Sequence, residues 1–187
     1  MNINQILDQI YKLPDTSKQL LQESIVEVRF PKGYILLKAD KVENNIYFIK
    51  KGIVRAYAYQ GDQEVTFWFG KEGDTILSMK SYVEQKKGYE NIELLEVCDL
   101  YELNTASLQR LFTNDIHFAN WGRRFAEQEL VITEGRLISR QIRSASERYN
   151  ALLNTNPYLL QRVPLSCIAS YLGITQVSLS RIRAEIR

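Results

Sequence analysis

The side chains best suited to chemistry lie in the last stretch of the chain, Arg162–Arg187, where basic and small polar residues alternate with apolar ones. If the part from residue 176 onward is helical, one face of that helix collects small, polar and basic side chains. This face carries Val177, Ser180, Arg181 and Ala184, and Gln176 and Arg183 flank it. A face of this size and charge can enter the major groove of duplex DNA. The alternative, a helical hairpin that only packs on another part of the protein, stays open at this point.

Two short helices joined by a tight turn are needed to position this face. Pro164 suits the first turn of a helix, and apolar residues then recur at helical spacing as far as Leu172. Gly173 follows, as expected for a turn that requires a positive φ. Thr175 is the expected N-cap of the second helix. The inner face of that helix would carry Leu179, Ile182 and Ile186.

The distribution of charge supports contact with a nucleic acid. Residues 136–187 contain eight arginines against Glu147 and Glu185, a net charge of +6, whereas the whole chain carries +2. Residues 1–135 are therefore acidic, with a net charge of −4. A basic end after an acidic body indicates a nucleic-acid-binding unit joined to a unit of another kind. Solvated helix faces are the alternative explanation for some of these arginines.

Several other classes of protein are not expected. The chain has neither a charged-then-apolar start nor an apolar run of about 18 residues, so we expect no membrane span, no export and a cytoplasmic location. Cys98 and Cys167 lack metal-ligand spacing, and we expect two buried, reduced thiols. His117 is the only histidine, and no nucleophile–base spacing accompanies it. We therefore expect no catalytic residues, no metal site and no enzyme.

Residues 27–103 carry the pattern of an antiparallel β structure. Short runs of β-branched and aromatic residues alternate with turns such as Pro31-Lys32-Gly33 and Gln60-Gly61-Asp62-Gln63. This spacing predicts a barrel or jelly roll. Helical periodicity precedes it over residues 3–26, with an interruption at Pro14-Asp15.

A long helix is predicted between the β structure and the basic end, from about Ile116 to Arg143. Large apolar side chains dominate the first half of one stripe at 3-4 spacing, and small or polar ones the second half. We expect this stripe to be a coiled-coil-like seam of a homodimer. The alternative is that the helix packs on the β structure of its own chain. The expected seam residues are Phe118, Trp121, Phe125, Gln128, Ile132 and Gly135.

Three stretches carry a resemblance to a known family: Asn45–Arg55 (NIYFIKKGIVR), Ile168–Thr175 (IASYLGIT) and Ser178–Arg181 (SLSR). Together with the order of helices, β-roll, long helix and helix pair, they resemble the family of the cyclic-AMP receptor protein and the fumarate-nitrate regulator. The tail resembles the form seen in Bacteroidetes-type members. The resemblance spans essentially the whole chain. It implies a homodimeric transcription regulator that binds double-stranded DNA and whose β-roll senses a ligand.

The resemblance also implies an α+β chain of three units. These are a cyclic-nucleotide-binding-like β-roll (jelly-roll) sensor domain over residues 1–112, a dimerisation helix over 113–143, and a helix-turn-helix, winged-helix-like DNA-binding domain over 144–187. The sequence ends inside the second helix of the last unit, with no residues for a β-wing. A minimal domain and a chain that extends beyond Arg187 both stay open.

Members of this family place base-reading residues at the start of the second helix. The resemblance implies that Arg181 pairs with guanine and that Val177 contacts a thymine methyl group. Thr175 and Ser178 stand where hydroxyl groups and helix N-terminal amides would hold a phosphate. Gln176 is expected to contact a base or a phosphate. Arg183 flanks this set of DNA-binding residues.

The expected effector site departs from the family pattern. Cyclic-nucleotide binders carry a Gly-Glu pair for the ribose and an Arg-Ser or Arg-Thr pair for the cyclic phosphate, whereas this chain has Leu77-Ser78 and then Gly88 or Tyr89. Losing a guanidinium that meets a buried phosphate is costly, so binding of cyclic AMP is not expected. Lys86 or Lys87 would substitute only if their loop folded inward. The simpler interpretation is that both are surface lysines.

No cofactor is expected either, because two cysteines cannot hold an iron–sulfur cluster and a single histidine disfavours haem. An unknown small hydrophobic effector stays open as a ligand of an aromatic pocket in the roll. The candidate pocket residues are Phe67, Phe69, Leu77, Ser78 and Tyr89.

The rival interpretation is a small-molecule-binding or protein-interaction module that does not regulate DNA. RNA polymerase is a further candidate partner if the chain is a transcription regulator. The operator, the identity or existence of an effector, and the choice between activation and repression stay open.

Overall fold

The computed structural model describes residues 1–185. Ile186, expected on the inner face of the last helix, and Arg187, counted in the basic end, lie outside the described residues. The helices are α1 (Ile3–Ile10), α2 (Asp15–Gln22), α3 (Met79–Glu84), α4 (Thr105–Asn114), α5 (Ile116–Ile142), α6 (Ala145–Thr155), α7 (Leu159–Arg162), α8 (Leu165–Leu172) and α9 (Gln176–Glu185). The strands are β1 (Ile25–Phe30), β2 (Ile35–Leu37), β3 (Asn45–Lys51), β4 (Val54–Gln60), β5 (Gln63–Gly70), β6 (Thr75–Ile76), β7 (Asn91–Leu94) and β8 (Cys98–Asn104).

The strands form a β-roll of two four-stranded sheets, in the orders β1-β8-β3-β6 and β2-β7-β4-β5. Ile49 and Leu100 from the first sheet and Val54 and Leu94 from the second are buried together in one apolar core. The predicted β-roll is therefore confirmed. The sequence did not indicate β6 and α3, because a strand of two residues and a helix of six are too short to show a period.

The turn between β3 and β4 is shaped by Gly52. Its φ is +119°, a conformation that side chains rarely adopt. A β-carbon at this position would also overlap the sulfur of Cys98, which lies on the neighbouring strand β8. Glycine is therefore required here both by the backbone conformation and by the close approach of another strand.

A second core lies between the N-terminal helices, the roll and the start of α5. Leu7, Phe48 and Trp121 are buried together there. The indole Nε1 of Trp121 donates to the carbonyl oxygen of Leu7 at 3.1 Å, and its ring meets that of Phe48 edge-on at 6.1 Å between centroids. These contacts fix the first half of α5 against its own chain.

Two residues expected in the dimer seam belong to this core instead. Phe118 and Trp121 are 0% and 1% exposed, and Phe125 stacks on Trp121 with ring centroids 5.6 Å apart. Because their own chain covers these rings, the expectation that Phe118 and Trp121 contact a partner copy is wrong. The 3-4 spacing in the first half of α5 marks the face that packs on its own chain.

The second half of α5 exposes a different apolar face. Its large apolar side chains are between 44% and 73% exposed: Leu130, Val131, Ile132, Leu137, Ile138 and Ile142. At about 100° per residue, most of them lie on roughly the opposite side of the helix from Phe118 and Trp121. Among the other residues expected in the seam, Gln128 is partly buried, whereas Gly135 is exposed like Ile132.

A third core joins the roll to the C-terminal helices. Ile53, next to Gly52, and Leu95, just after β7, are buried among side chains of α6 to α9. Leu152, Ile168 and Leu179 belong to the same cluster. The helices that carry the basic residues are therefore packed directly on the roll.

Candidate nucleic-acid interface

The turn between α8 and α9 has the geometry that the sequence predicts. Gly173 ends α8 with a φ of +67°, and the Ile174 amide donates back to the Ala169 carbonyl oxygen at 3.0 Å. The amide of Ser178 donates to Oγ1 of Thr175 at 3.1 Å. Thr175 therefore caps α9, and the two helices are held in a tight hairpin.

The two faces of α9 differ in burial and in chemistry. Leu179 is 0% exposed inside the third core, and Ile182 packs at the edge of that core. Val177 on the other face is 63% exposed. Of the six residues predicted to bind DNA, Thr175, Gln176, Val177 and Arg181 are exposed, and Ser178 and Arg183 are partly buried. Val177 and Arg181 lie on the outer face, whereas Arg183, four positions after Leu179, lies nearer the buried face.

The arginines of the basic end fall into two sets. Arg148 donates from Nη2 to the carbonyl oxygen of Leu172 at 2.8 Å, and Arg162 binds acidic side chains of the roll. Within residues 1–185, neither Arg181 nor Arg183 forms an ion pair or a side-chain hydrogen bond. Their guanidinium groups are therefore available to an anionic partner.

A serine of α8 attaches the helix pair to the roll. The hydroxyl of Ser170 accepts the amide of Thr66 at 2.9 Å and donates to the carbonyl oxygen of Glu64 at 2.8 Å. Both groups belong to β5, which is the edge strand of its sheet. The hydroxyl of Ser170 thus satisfies backbone groups that an edge strand would otherwise leave unpaired. Next to it in the chain, Tyr171 packs on Phe69 with ring centroids 5.2 Å apart.

Arg162 forms a second attachment between the same parts. Its Nη2 lies 2.7 Å from Oε1 of Glu72 and its Nη1 lies 3.1 Å from Oε2, while Glu96 binds the guanidinium from another side. Oε1 of Glu72 also accepts the amide of Gly52 at 2.9 Å. Burial disfavours the ionised Glu72, but the hydrogen bonds from Arg162 and Gly52 outweigh burial and lower its pKa to about 2.

The positions that correspond to the family's phosphate-binding residues are tightly packed. Ser78, Gly88 and Glu90 lie together there. A β-carbon on Gly88 would lie 2.7 Å from Oγ of Ser78 and 3.2 Å from both carboxylate oxygens of Glu90. Glu90 is 7% exposed, and its Oε2 accepts the amide of Tyr89 at 3.0 Å. A buried carboxylate thus stands where a binder of anions would need a cation. Sequence reasoning missed Glu90, because its burial depends on how the loop folds.

The neighbouring lysines do not supply that cation. The side chain of Lys86 is 68% exposed and pairs with Glu84 at 3.1 Å, and Lys87 is exposed as well. The loop therefore directs both lysines to solvent, as the simpler interpretation of the sequence expected.

Residues 27–115 match the family model described as the cyclic nucleotide-binding domain. The matched residues run from within β1 to just after α4 and so include almost the whole β-roll. No curated protein matches the sequence significantly.

Solved structures extend the likeness beyond the cyclic nucleotide-binding domain. FixK2 from Bradyrhizobium japonicum gives a TM-score of 0.75 at 20% identity, covering 87% of this chain and 84% of that chain. A transcriptional regulator of the crp/fnr family from Eubacterium rectale gives 0.73 at 16% identity, covering 91% and 82%. A CooA variant from Carboxydothermus hydrogenoformans gives 0.68 at 19% identity, covering 99% and 84%. The chain therefore has the fold of Crp/Fnr regulators, which confirms the resemblance.

The candidate effector residues do not converge inside the β-roll. Phe67 and Tyr89 lie together, with ring centroids 6.0 Å apart. Ser78 is buried beside Gly88, the residue that precedes Tyr89. Leu77 packs instead at the edge of the core around Trp121. Phe69 packs in the third core, against Tyr171. The expected aromatic pocket is thus divided among three parts of the structure.

Two surface clefts lie away from these residues. One, of about 430 Å³, is lined by Met1, Gln5, Asp8 and Gln9. The other, of about 510 Å³, lies between α3 and the start of α4 and is lined in part by Tyr82, Asn104 and Arg110. Separately, no helix among residues 1–185 combines the length and the apolar character that crossing a bilayer requires.

Proposed function

We propose that this chain is a sequence-specific DNA-binding transcription regulator that acts as a homodimer. One observation carries the proposal: a glycine turn presents the outer face of α9, where Gln176, Val177 and Arg181 are exposed and the arginine has no acidic partner within residues 1–185. A helix with a basic and small outer face, held from behind by an apolar core, suits insertion into a major groove. The Crp/Fnr fold is consistent with this role.

Each exposed side chain of α9 has a role in the proposal. Arg181 offers the planar fork that matches O6 and N7 of guanine, and Val177 offers methyl groups to a thymine. Gln176 contacts a base or a phosphate. Thr175 and Ser178 hold a phosphate together with the first amides of α9, and Arg183 adds a phosphate contact beside them.

Dimerisation uses the exposed apolar face of α5 in this proposal. Leu130, Val131, Leu137, Ile138 and Ile142 are the central residues of the seam, because burying them removes large apolar side chains from water. Gly135, where an added β-carbon meets nothing within 4 Å, leaves room for a partner helix to approach. Two copies related by a two-fold axis then read half-sites about one helical turn apart. The three-unit division at residues 112 and 143 is part of the same proposal.

We further propose that this regulator works without cyclic AMP. A cyclic phosphate would meet the buried carboxylate of Glu90 and no guanidinium, so its desolvation would go uncompensated. A small hydrophobic effector would have to use Phe67 and Tyr89 alone among the candidate pocket residues. A cytoplasmic location and contact with RNA polymerase remain expectations of the regulator role.

Selection from a pool of random duplex DNA tests the proposal. The wild type is expected to enrich a two-fold-symmetric motif. Arg181→Ala should weaken binding to that motif about tenfold or more and should reduce the base preference at one position of each half-site. Arg123→Ala is the matched control, since Arg123 lies on α5 and pairs with Glu127 at 2.5 Å. No enrichment by the wild type, with or without cell extract, would favour the rival interpretation as a metabolite-binding or protein-interaction module.

A further inference from the structure

Arg140 lies beside the turn that leads into α9, although it belongs to the last turn of α5. A β-carbon placed on Gly173 would lie 3.9 Å from Nη2 of Arg140, and among residues 1–185 no other heavy atom outside Gly173 and its two chain neighbours lies within 4 Å of that point. The guanidinium is therefore next to the outer side of the turn. The side chain comes from a helix 33 residues earlier in the chain, so the sequence gives no hint of this proximity.

The donors of Arg140 are unused, unlike those of the other arginine at this turn. Arg148 donates to the carbonyl oxygens of Arg143 and Leu172 at 2.5 and 2.8 Å, which is a structural role. Arg140 is exposed and makes neither an ion pair nor a side-chain hydrogen bond within residues 1–185. Glu147, the acid of the next helix, is occupied by the amide and hydroxyl of Ser144 at 2.7 and 2.8 Å.

We propose that Arg140 contacts a DNA phosphate next to the one held at the start of α9. This inference rests on the proposed function and adds a contact from the end of α5, outside the helix pair. Thr175, two residues after Gly173, caps α9, so a duplex that receives α9 passes its phosphate backbone close to this turn. A guanidinium with five free donors suits a phosphate oxygen pair. The contact positions the protein on DNA and reads no base.

A purely structural role for Arg140 predicts a different behaviour. A cation in the last turn of a helix interacts favourably with the helix dipole, and that role would affect the melting temperature of the free protein. A phosphate contact instead contributes to the dependence of DNA affinity on salt, because each neutralised phosphate releases counterions. The salt dependence therefore separates the two roles.

The experiment compares Arg140→Gln, Arg140→Lys and the control Arg123→Gln in fluorescence anisotropy titrations at several salt concentrations. The probes are a duplex with the selected motif and an unrelated duplex of the same length. Arg123→Gln removes the same charge from the same helix, but Arg123 is engaged by Glu127 at 2.5 Å. Melting temperatures of the free variants report any structural effect.

With one Arg140 per copy of a dimer, Arg140→Gln should reduce the slope of log affinity against log salt by about 2. When the salt concentration rises from 50 to 200 mM, the factor by which the affinity of Arg140→Gln falls should accordingly be about ten times smaller than the factor for the wild type. Base preference should not change, Arg140→Lys should retain most of the slope, and Arg123→Gln should match the wild type. An unchanged slope in Arg140→Gln, or an equal reduction in Arg123→Gln, would overturn the inference while leaving the proposed function intact. Failure of the wild type to bind any duplex would overturn both.

Discussion

Arg162 and Glu72 form a two-pronged ion pair between α7 and the loop after β5, with nitrogen–oxygen distances of 2.7 and 3.1 Å. Glu96, from the loop before β8, binds the same guanidinium. Glu72 in addition accepts the Gly52 amide from the turn before β4. Arg162 thus links α7 directly to two loops of the β-roll and, through Glu72, to the turn at Gly52.

Glu72→Gln should destabilise the protein by about 2 kcal/mol at pH 7, because Arg162 loses a charged, hydrogen-bonded partner. The pKa of Glu72 is lowered from 4.5 to about 2 in the folded chain. The pair therefore contributes stability above about pH 4.5, and this contribution is lost as the pH falls towards 2. Urea unfolding at pH 7 and pH 3 measures both effects, and the difference between wild type and variant should shrink at pH 3. An equal difference at both values would contradict the account.

Two glycines with positive φ should respond differently to alanine. Gly61→Ala should cost about 1 kcal/mol, since only the backbone conformation opposes a side chain there. Gly52→Ala should cost about 3 kcal/mol or more, because a β-carbon there also overlaps Cys98. Thermal unfolding of the two variants measures the difference. Similar losses at both positions would show that Cys98 can move away from a β-carbon at position 52.

The exposed face of α5 gives a prediction about assembly. Leu137→Glu should raise the dimer dissociation constant about a hundredfold, because each copy would bury an unpaired charge in the seam. Val26→Glu is the control, since Val26 is similarly exposed, at 58% against 57% for Leu137, but lies on the edge strand β1. Sedimentation equilibrium measures both. A dimer that survives Leu137→Glu but not Val26→Glu would place the seam on the roll instead.

Cyclic AMP at about 1 mM should leave the melting temperature unchanged, because Glu90 stands where the cyclic phosphate would need a cation. A site with a dissociation constant of about 10 µM would add about 2.7 kcal/mol at that concentration and raise the melting temperature by several degrees. Adenosine serves as the control ligand without a phosphate. A rise with cyclic AMP and none with adenosine would contradict the proposed loss of cyclic-nucleotide chemistry.

Local signals in the sequence predicted local structure well. The turn at Gly173 and the N-cap at Thr175 follow from residue types that prefer these positions, and both are present with their hydrogen bonds. Short runs of β-branched and aromatic residues between turns likewise predicted most strands of the roll, because these residue types favour strands and the turn residues mark where strands end.

Contacts between distant segments could not be predicted in the same way. The 3-4 spacing of α5 identified an apolar face but not its partner, and Phe118 and Trp121 prove to face their own chain. The hydroxyl of Ser170 accepts the amide of Thr66 on β5, 104 residues earlier in the sequence. No pattern in either segment predicts that hydrogen bond. The candidate effector residues likewise do not form one pocket, because Phe69 packs against Tyr171, a residue of a helix much later in the chain.

The spacing of the two half-sites provides the most direct test of the central claim, a two-fold-symmetric dimer that reads DNA with α9. Affinity would be measured for a duplex with the selected motif, for one with five base pairs inserted between the half-sites, and for one with a single half-site. Both altered duplexes should bind roughly tenfold or more weakly, because half a helical turn moves the second site away from the second α9 and the single half-site leaves that α9 without a site. Equal affinity for all three duplexes would contradict the central claim.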